Sequence, residues 1–308
     1  MLLVNIKKFL HKLQYEMNLS KNTIDSYKND LSQFNAFCNK KIKEISKVDK
    51  KFINEFVLSL SKKKFSNASL NRKVSSLKNF FNYLFDDDIL KFNPIIDFIK
   101  AKQEKKMPNF LSQDEINKII SIVSEDKSHN GMRNLCLIRI LSSSGIRISE
   151  LVSLKIDAIQ WIDREKFIIK PILNILGKGN KERIVIIDDL TLDALHDYLQ
   201  IRKHYVKKDK YNYLFPSKNN SHITRVYVGL LLKKFARMAN IDIKKVHPHA
   251  FRHSVALKLL NGGMNIRYIQ EFLGHSDIST TAIYTKINPT DLIKFVENFH
   301  SINKHNDI

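Results

Sequence analysis

The sequence predicts a mainly α protein: an N-terminal helical bundle, then a mostly helical second domain carrying a small antiparallel β-sheet. Three observations predict it. Apolar residues recur at spacings of three and four through most of the chain. That period gives way to Ile- and Leu-rich β-like runs at 167–176 and 183–187, separated by a glycine turn. A polar, Lys-rich stretch without apolar periodicity interrupts the helices near residue 100 and reads as a linker over 101–109. The predicted domains are therefore 1–100 and 110–308.

The first ten residues, with one short apolar run before Lys7-Lys8, fit an amphipathic helix and lack the cleavage pattern of a signal peptide. Ser20 is placed to cap the next helix, where Ile24, Tyr27, Leu31, Phe34 and Phe37 form one apolar stripe. A further helix spans about 49–61. Another starts after Ser66–Ser69 and lines up Leu70, Val74, Leu77, Phe80, Phe81 and Leu84. Its opposite side carries Asn71, Arg72, Lys73, Ser75, Ser76, Lys78 and Asn79, types that contact DNA phosphates and set position without reading sequence. An ordinary solvated helix face is the competing reading. Asn93-Pro94 closes the domain.

The second domain opens on Ser112-Gln-Asp-Glu115, a capping box, with a helix to about Val123. An apolar helix follows over about 133–141, and Gly145 turns the chain into Ile146-Arg147-Ile148-Ser149-Glu150. The two β-like runs form a hairpin whose tip, 177–182, carries Lys178 and Lys181. Helices resume at about 190–207, 224–239, 248–260, 266–272, 279–286 and 291–299.

The charge narrows the partners. Lys and Arg number 52 against 31 Asp and Glu, a net +21. Residues 1–107 hold 22 of the basic and 11 of the acidic groups, leaving 30 and 20 for the rest, so both domains are strongly basic. A polyanion that touches both is the simplest explanation, with a Lys-rich compositional bias as the alternative. Cys38 and Cys136 stand alone in apolar helical patterns, which argues against a disulfide framework or a zinc site and fits a reducing compartment. No apolar run reaches the length of a membrane span, and the cytoplasm is the expected location.

The candidate chemistry lies in Arg147, Lys178, His249-x-x-Arg252, His275 and Tyr284. Singly, each has an ordinary structural explanation: Arg147 has Glu150 as an i, i+3 partner, Lys178 fits a solvated turn, and a helical Tyr is usually core. Together they suit attack of a tyrosine hydroxyl on a phosphodiester. Attack puts charge on the nonbridging oxygens, which a site without metal must balance with fixed donors. The planar guanidinium fork of Arg147 and Arg252 holds phosphate oxygens in pairs and stays charged, and His275 is a further donor. A free tyrosine has a pKa near 10, so Tyr284 needs cations nearby and a base such as His249. Glu150 orients its neighbours.

In this order the residues resemble the tyrosine recombinase family, its XerC/XerD group, with XerD slightly favoured. Gly-Ile-Arg147-Ile-Ser-Glu-Leu, Gly-Lys178-Gly-Asn-Lys-Glu-Arg183, His249-x-x-Arg252 and Leu-Gly-His275-Ser-Asp-Ile-Ser-Thr-Thr-Ala-Ile-Tyr284 carry the resemblance, and Leu19-Ser-x-Asn-Thr23 extends it to the first domain. Two departures stand out: a longer segment between Arg147 and Lys178, and Phe251 where the family usually has Leu. The resemblance implies a SAM-like core-binding domain and a catalytic domain closing on DNA as a C-shaped clamp. It implies Tyr284 as nucleophile, a 3′-phosphotyrosyl intermediate and Lys178 as general acid on the 5′-oxygen. The covalent link conserves the phosphodiester's energy, so no cofactor, ATP or metal is expected. Arg72, Lys73, Lys78, Lys181 and Arg183 are the expected DNA contacts.

The expected partners are double-stranded DNA, a paralogous recombinase in a heterotetramer or an identical chain in a homotetramer, and a DNA translocase as activator. Leu292, Ile293, Phe295 and Phe299 would form a helix donated to a neighbouring protomer. Resolution of chromosome dimers at segregation is the leading role, favoured by a chain that starts directly with its core-binding domain. A mobile-element integrase, a type IB topoisomerase-like enzyme and a catalytically silent DNA binder are the alternatives.

Overall fold

The computed structural model describes residues 2–17, 19–42, 44–63, 65–96, 98, 110–177, 182–205, 212–217 and 221–274. The chain divides into two compact units, residues 1–106 and 107–308.

The first unit packs α1 (Leu2–Tyr15), α2 (Lys21–Cys38), α3 (Lys50–Lys62) and α4 (Asn67–Asp86). Ser20, Asp49 and Ser66 each accept a backbone N–H of the first turn they precede, so three of these helices start where a short polar side chain replaces the missing partner. α4 lies against the other three. Phe34 meets Phe56 and Phe81 edge-on at 5.2 and 5.8 Å between ring centres, and Phe9 meets Phe80 at 5.5 Å. Each such pair contributes about 1 kcal/mol beyond its buried area.

Two of the expected DNA contacts on α4 pair with an aspartate of this bundle. Lys73 is 3 % exposed, and its Nζ donates to Asp30 at 3.0 Å and Gln33 at 2.9 Å. Arg72 keeps half of its side chain in solvent, but both of its terminal nitrogens donate to the same Asp30, at 2.5 and 2.9 Å. Ser76 donates to Asp30 as well. An aspartate buried in helix α2 must be neutralised, and α4 supplies the cations. Lys73 is therefore a structural lysine, and the side of α4 that the sequence reads as solvated is partly core. Lys78 remains half-buried, donating to the Ile96 carbonyl at 3.3 Å.

The second unit is built on α6 (His129–Ser144), which is buried almost all round and packs against α5 (Gln113–Glu125), α8 (Asp189–Ile201) and α10 (Pro248–Asn261). The capping box of α5 forms as expected: Ser112 Oγ accepts from Glu115 N, and Glu115 returns the bond to Ser112 N. The sheet has three antiparallel strands, β1 (Ile159–Asp163), β2 (Ile168–Leu176) and β3 (Glu182–Ile186), in sequence order. β2 and β3 are the two expected strands, with Leu176 facing Glu182 and Asn174 facing Ile184. β1, between Arg147 and Lys178, is not among the expected strands. Phe167 lies outside β2 because its φ of +54° belongs to the turn between β1 and β2. The helix expected to run to 207 ends at Ile201 and passes into one turn of 3₁₀ helix, Arg202–Tyr205.

α7 (Ile148–Val152), α9 (Arg225–Met238) and α11 (Ile266–Leu273) complete the unit. α11 is seated by a small separate apolar cluster in which Ile269, Phe272 and Leu273 meet Val255 and Leu259 of α10 and Ile186 of β3. The linker 101–109, the hairpin tip with Lys178 and Lys181, and the expected helices at 279–286 and 291–299 lie outside the described residues. So do His275 and Tyr284.

Candidate active site

Arg147 and Arg252 converge on the C-terminal end of α11. Gly145 ends α6 in the left-handed region at φ +59°, and the chain then turns into α7 with Arg147 immediately before its first turn. A Cβ on Gly145 would come within 2.7 Å of Leu273 Cδ2, so glycine is needed for conformation and for space. Arg252 projects from α10, 5 % exposed, and donates to the Gly145 carbonyl at 2.8 Å and to the Leu273 carbonyl at 2.5 Å. Arg147 donates to the carbonyl of the next residue, Gly274. The last carbonyls of a helix lack partners and carry the negative end of its dipole, so two guanidiniums satisfy them well. The residue that follows Gly274 is His275.

Among the described residues, Glu150 is the carboxylate that pairs with arginines here. It accepts four bonds: from Arg147 N and Nη1, both at 2.9 Å, and from Arg183 Nη1 and Nη2, at 2.9 and 2.7 Å. Burial works to raise its pKa, but the Arg183 and Arg147 contacts outweigh burial and hold the carboxyl below its ordinary range. It is an ionised anchor with no lone pair to spare for taking a proton. Three guanidiniums against one carboxylate leave the cluster with two net positive charges. Arg252 feels this: burial first, then Arg147 and Arg183, push its pKa down to about 10, with Glu150 opposing. It is still a cation at pH 7.

His249 lies exposed in the first turn of α10, three residues before Arg252. Burial, then His253, Arg252 and Arg147, lower its pKa below the ordinary 6.5. A neutral imidazole at pH 7 can accept a proton. Arg147 and Glu150 at the start of α7 are thus gathered with His249 and Arg252 of α10, two separate motifs of the sequence, into one place. Arg183 joins them in a role the sequence reading did not give it, as a partner of Glu150 with its side chain 14 % exposed. Its adjacency to Glu182 and the tip lysines suggests DNA; the carboxylate 33 residues earlier is invisible without the sheet. Among the described residues no group of His, Cys, Asp and Glu could hold a metal ion, and no helix is long and apolar enough to cross a membrane.

Residues 109–291 match the phage integrase family, and residues 6–87 match the N-terminal SAM-like domain of phage integrases. The chain belongs to the phage integrase family. As a member of this family of tyrosine recombinases it is an enzyme that cleaves and rejoins DNA strands. The tyrosine recombinase XerD of Rickettsia prowazekii (strain Madrid E) is 38 % identical over 308 residues, covering 98 % of each chain. XerC of Staphylococcus carnosus (strain TM300) is 30 % identical over 292 residues, 95 % of each. The fold is similar to that of the XerH site-specific recombinase in its post-cleavage complex, with a TM-score of 0.71, 21 % identity, and coverage of 98 % of this chain and 82 % of that one. This tyrosine recombinase thus presents Arg147 and Arg252 already held in place by its own backbone carbonyls.

Proposed function

We propose that this chain is a chromosomal Xer-type recombinase that acts through Arg147, Lys178, His249, Arg252, His275 and Tyr284. The observation that carries the reading is the convergence of Arg147 and Arg252 on the carbonyls of Leu273 and Gly274, directly ahead of the run that leads to Tyr284. Donors that share one helix end can reach the nonbridging oxygens of one phosphate. Their positions are set before the substrate arrives, which is where catalytic hydrogen-bond donors gain most of their effect.

In this reading Arg147 and Arg252 balance the charge of the five-coordinate transition state, with His275 adding a bond. His249, neutral at pH 7, accepts the Tyr284 proton. Lys178 protonates the departing 5′-oxygen. The bond from phosphorus to the 5′-oxygen breaks as the bond to the tyrosine oxygen forms, leaving a 3′-phosphotyrosyl end and a 5′-hydroxyl. A 5′-hydroxyl from a second duplex reverses the step. No metal or ATP enters. The substrate is double-stranded DNA held by the basic surfaces of both units, and two duplexes need four protomers, supplied by a paralogue or by identical chains. A DNA translocase is the expected activator, and the resemblance to XerD and XerC favours resolution of chromosome dimers in the cytoplasm.

The test is a covalent adduct. Incubated with a nicked duplex carrying a candidate recombination site, the protein should form a species that survives denaturing electrophoresis, and Tyr284→Phe should bind the same duplex without forming it. An adduct that persists in Tyr284→Phe rejects the nucleophile.

A further inference from the structure

The geometry assigns Arg183 as a positioning residue that braces both anchors of Arg147; this rests on the proposed phosphate clamp and adds a residue to it. Arg147 is held at two points, the Glu150 carboxylate and the Gly274 carbonyl. Arg183 backs each of them. It fills the second face of Glu150 with two parallel bonds at 2.9 and 2.7 Å, so the carboxylate cannot rotate away from Arg147. Its side chain also lies against Gly274: a Cβ there would meet Arg183 Cδ, Nε and Cζ at 3.0 to 3.2 Å. Gly274 has a φ of +68°, so conformation and close approach both call for glycine.

Two further observations separate this from a salt bridge kept for stability. Arg183 Nε is buried and has no hydrogen-bond partner among the described residues. A buried donor left unpaired costs about 1–3 kcal/mol, so the side chain is not optimised for folding. Arg183 also adds a third positive charge to a cluster that already lowers the Arg252 pKa. That arrangement is unfavourable to an empty protein and favourable to one that receives an anion. Its place on β3, five residues after Lys178 in sequence, ties the hairpin strand to the clamp. Arg183 does not itself need to touch the phosphate.

The experiment measures single-turnover adduct formation on the nicked duplex, together with the DNA dissociation constant and the melting temperature. Arg183→Ala and Arg183→Lys should each slow the rate at saturating DNA by about a hundredfold, the loss expected when a clamp group is displaced by about an ångström. The dissociation constant should change less than threefold. Lysine should fail to rescue, since it keeps the charge and the alkyl stem but cannot make two parallel bonds; it also serves if the alanine variant is unstable. In a Glu150→Gln background, Arg183→Ala should cost much less than alone, because the partner it fixes is already impaired. A wild-type rate for Arg183→Lys overturns the assignment. So does a loss that appears in the dissociation constant, which would make Arg183 a DNA contact. Failure of the unsubstituted protein to form any adduct would instead remove the clamp reading and this inference with it.

Discussion

Glu150 decides whether the arginines of the site are a clamp or three repelling charges. It is 7 % exposed and saturated by four donors. Glu150→Gln removes the charge but little volume, and breaking a buried pair of this kind costs about 3 kcal/mol. The effect should depend on pH in a defined direction. The folded-state pKa of Glu150 is depressed below its ordinary 4.5, so its contribution is fully present above that value and is lost as pH falls through the folded-state pKa. Melting temperature should therefore drop more steeply below pH 4.5 in the unsubstituted protein than in Glu150→Gln; parallel curves would show that the carboxylate is not held as described. His249 acts in the same direction on the reaction itself. Its pKa is lowered from 6.5, and a base must be neutral, so between pH 8 and 5 the acid limb of adduct formation should have its midpoint below pH 6.5. Single-turnover rates across this range check it, and an acid limb centred above 6.5 would take the base role from His249. Arg147, His249 and Arg252 are legible in sequence because each stands in a fixed short pattern. Arg183 is legible as a residue and not as a role, because its partner is 33 positions away and the sheet alone joins them.

At the scale of elements, what is local is what the sequence reveals. The starts of α2 and α5 follow from Ser20 and Ser112, whose capping bonds reach three residues along the chain, while α4 starts at Asn67, earlier than expected, because Ser66 caps it. β1 escapes because Trp161-Ile162-Asp163-Arg164 neither alternates cleanly nor pairs regularly; its register with β2 shifts twice within five residues. Lys73 escapes for a related reason: a lysine beside an apolar stripe reads as solvent-facing until a buried aspartate arrives from another helix. The Asp30 network then predicts an asymmetry along α4. Asp30→Ala strands Lys73 and Arg72 and should lower the stability of the first unit by about 3 kcal/mol, as should Lys73→Ala, by chemical denaturation. Lys78→Ala should leave stability within about 0.5 kcal/mol. If Lys78 rather than Lys73 meets DNA, only the Lys78 variant should weaken the salt dependence of binding without unfolding the helix. A Lys73→Ala protein of unchanged stability would return that residue to the DNA-binding set.

Over the whole molecule, charge is divided nearly evenly between two units that each possess a core of their own. Residues 1–107 carry a net +11 and the remainder +10, but a net charge does not say which basic side chains are free to meet DNA. Arg72 and Lys73 are spent on Asp30, and Arg183 is spent on Glu150. The number of neutralised phosphates sets the slope of log affinity against log salt, at about −0.9 per contact on duplex DNA. Expressed separately, residues 1–106 and 107–308 should each bind a duplex more weakly than the full chain and with a shallower slope. If both units grip the same duplex, their slopes should together approach that of the full chain, because released counterions add while affinities gain further from the tether. Gel-shift titrations at several salt concentrations measure all three slopes. A catalytic unit that alone reproduces the full slope would mean that the positive charge of the first unit faces away from DNA and serves something other than grip.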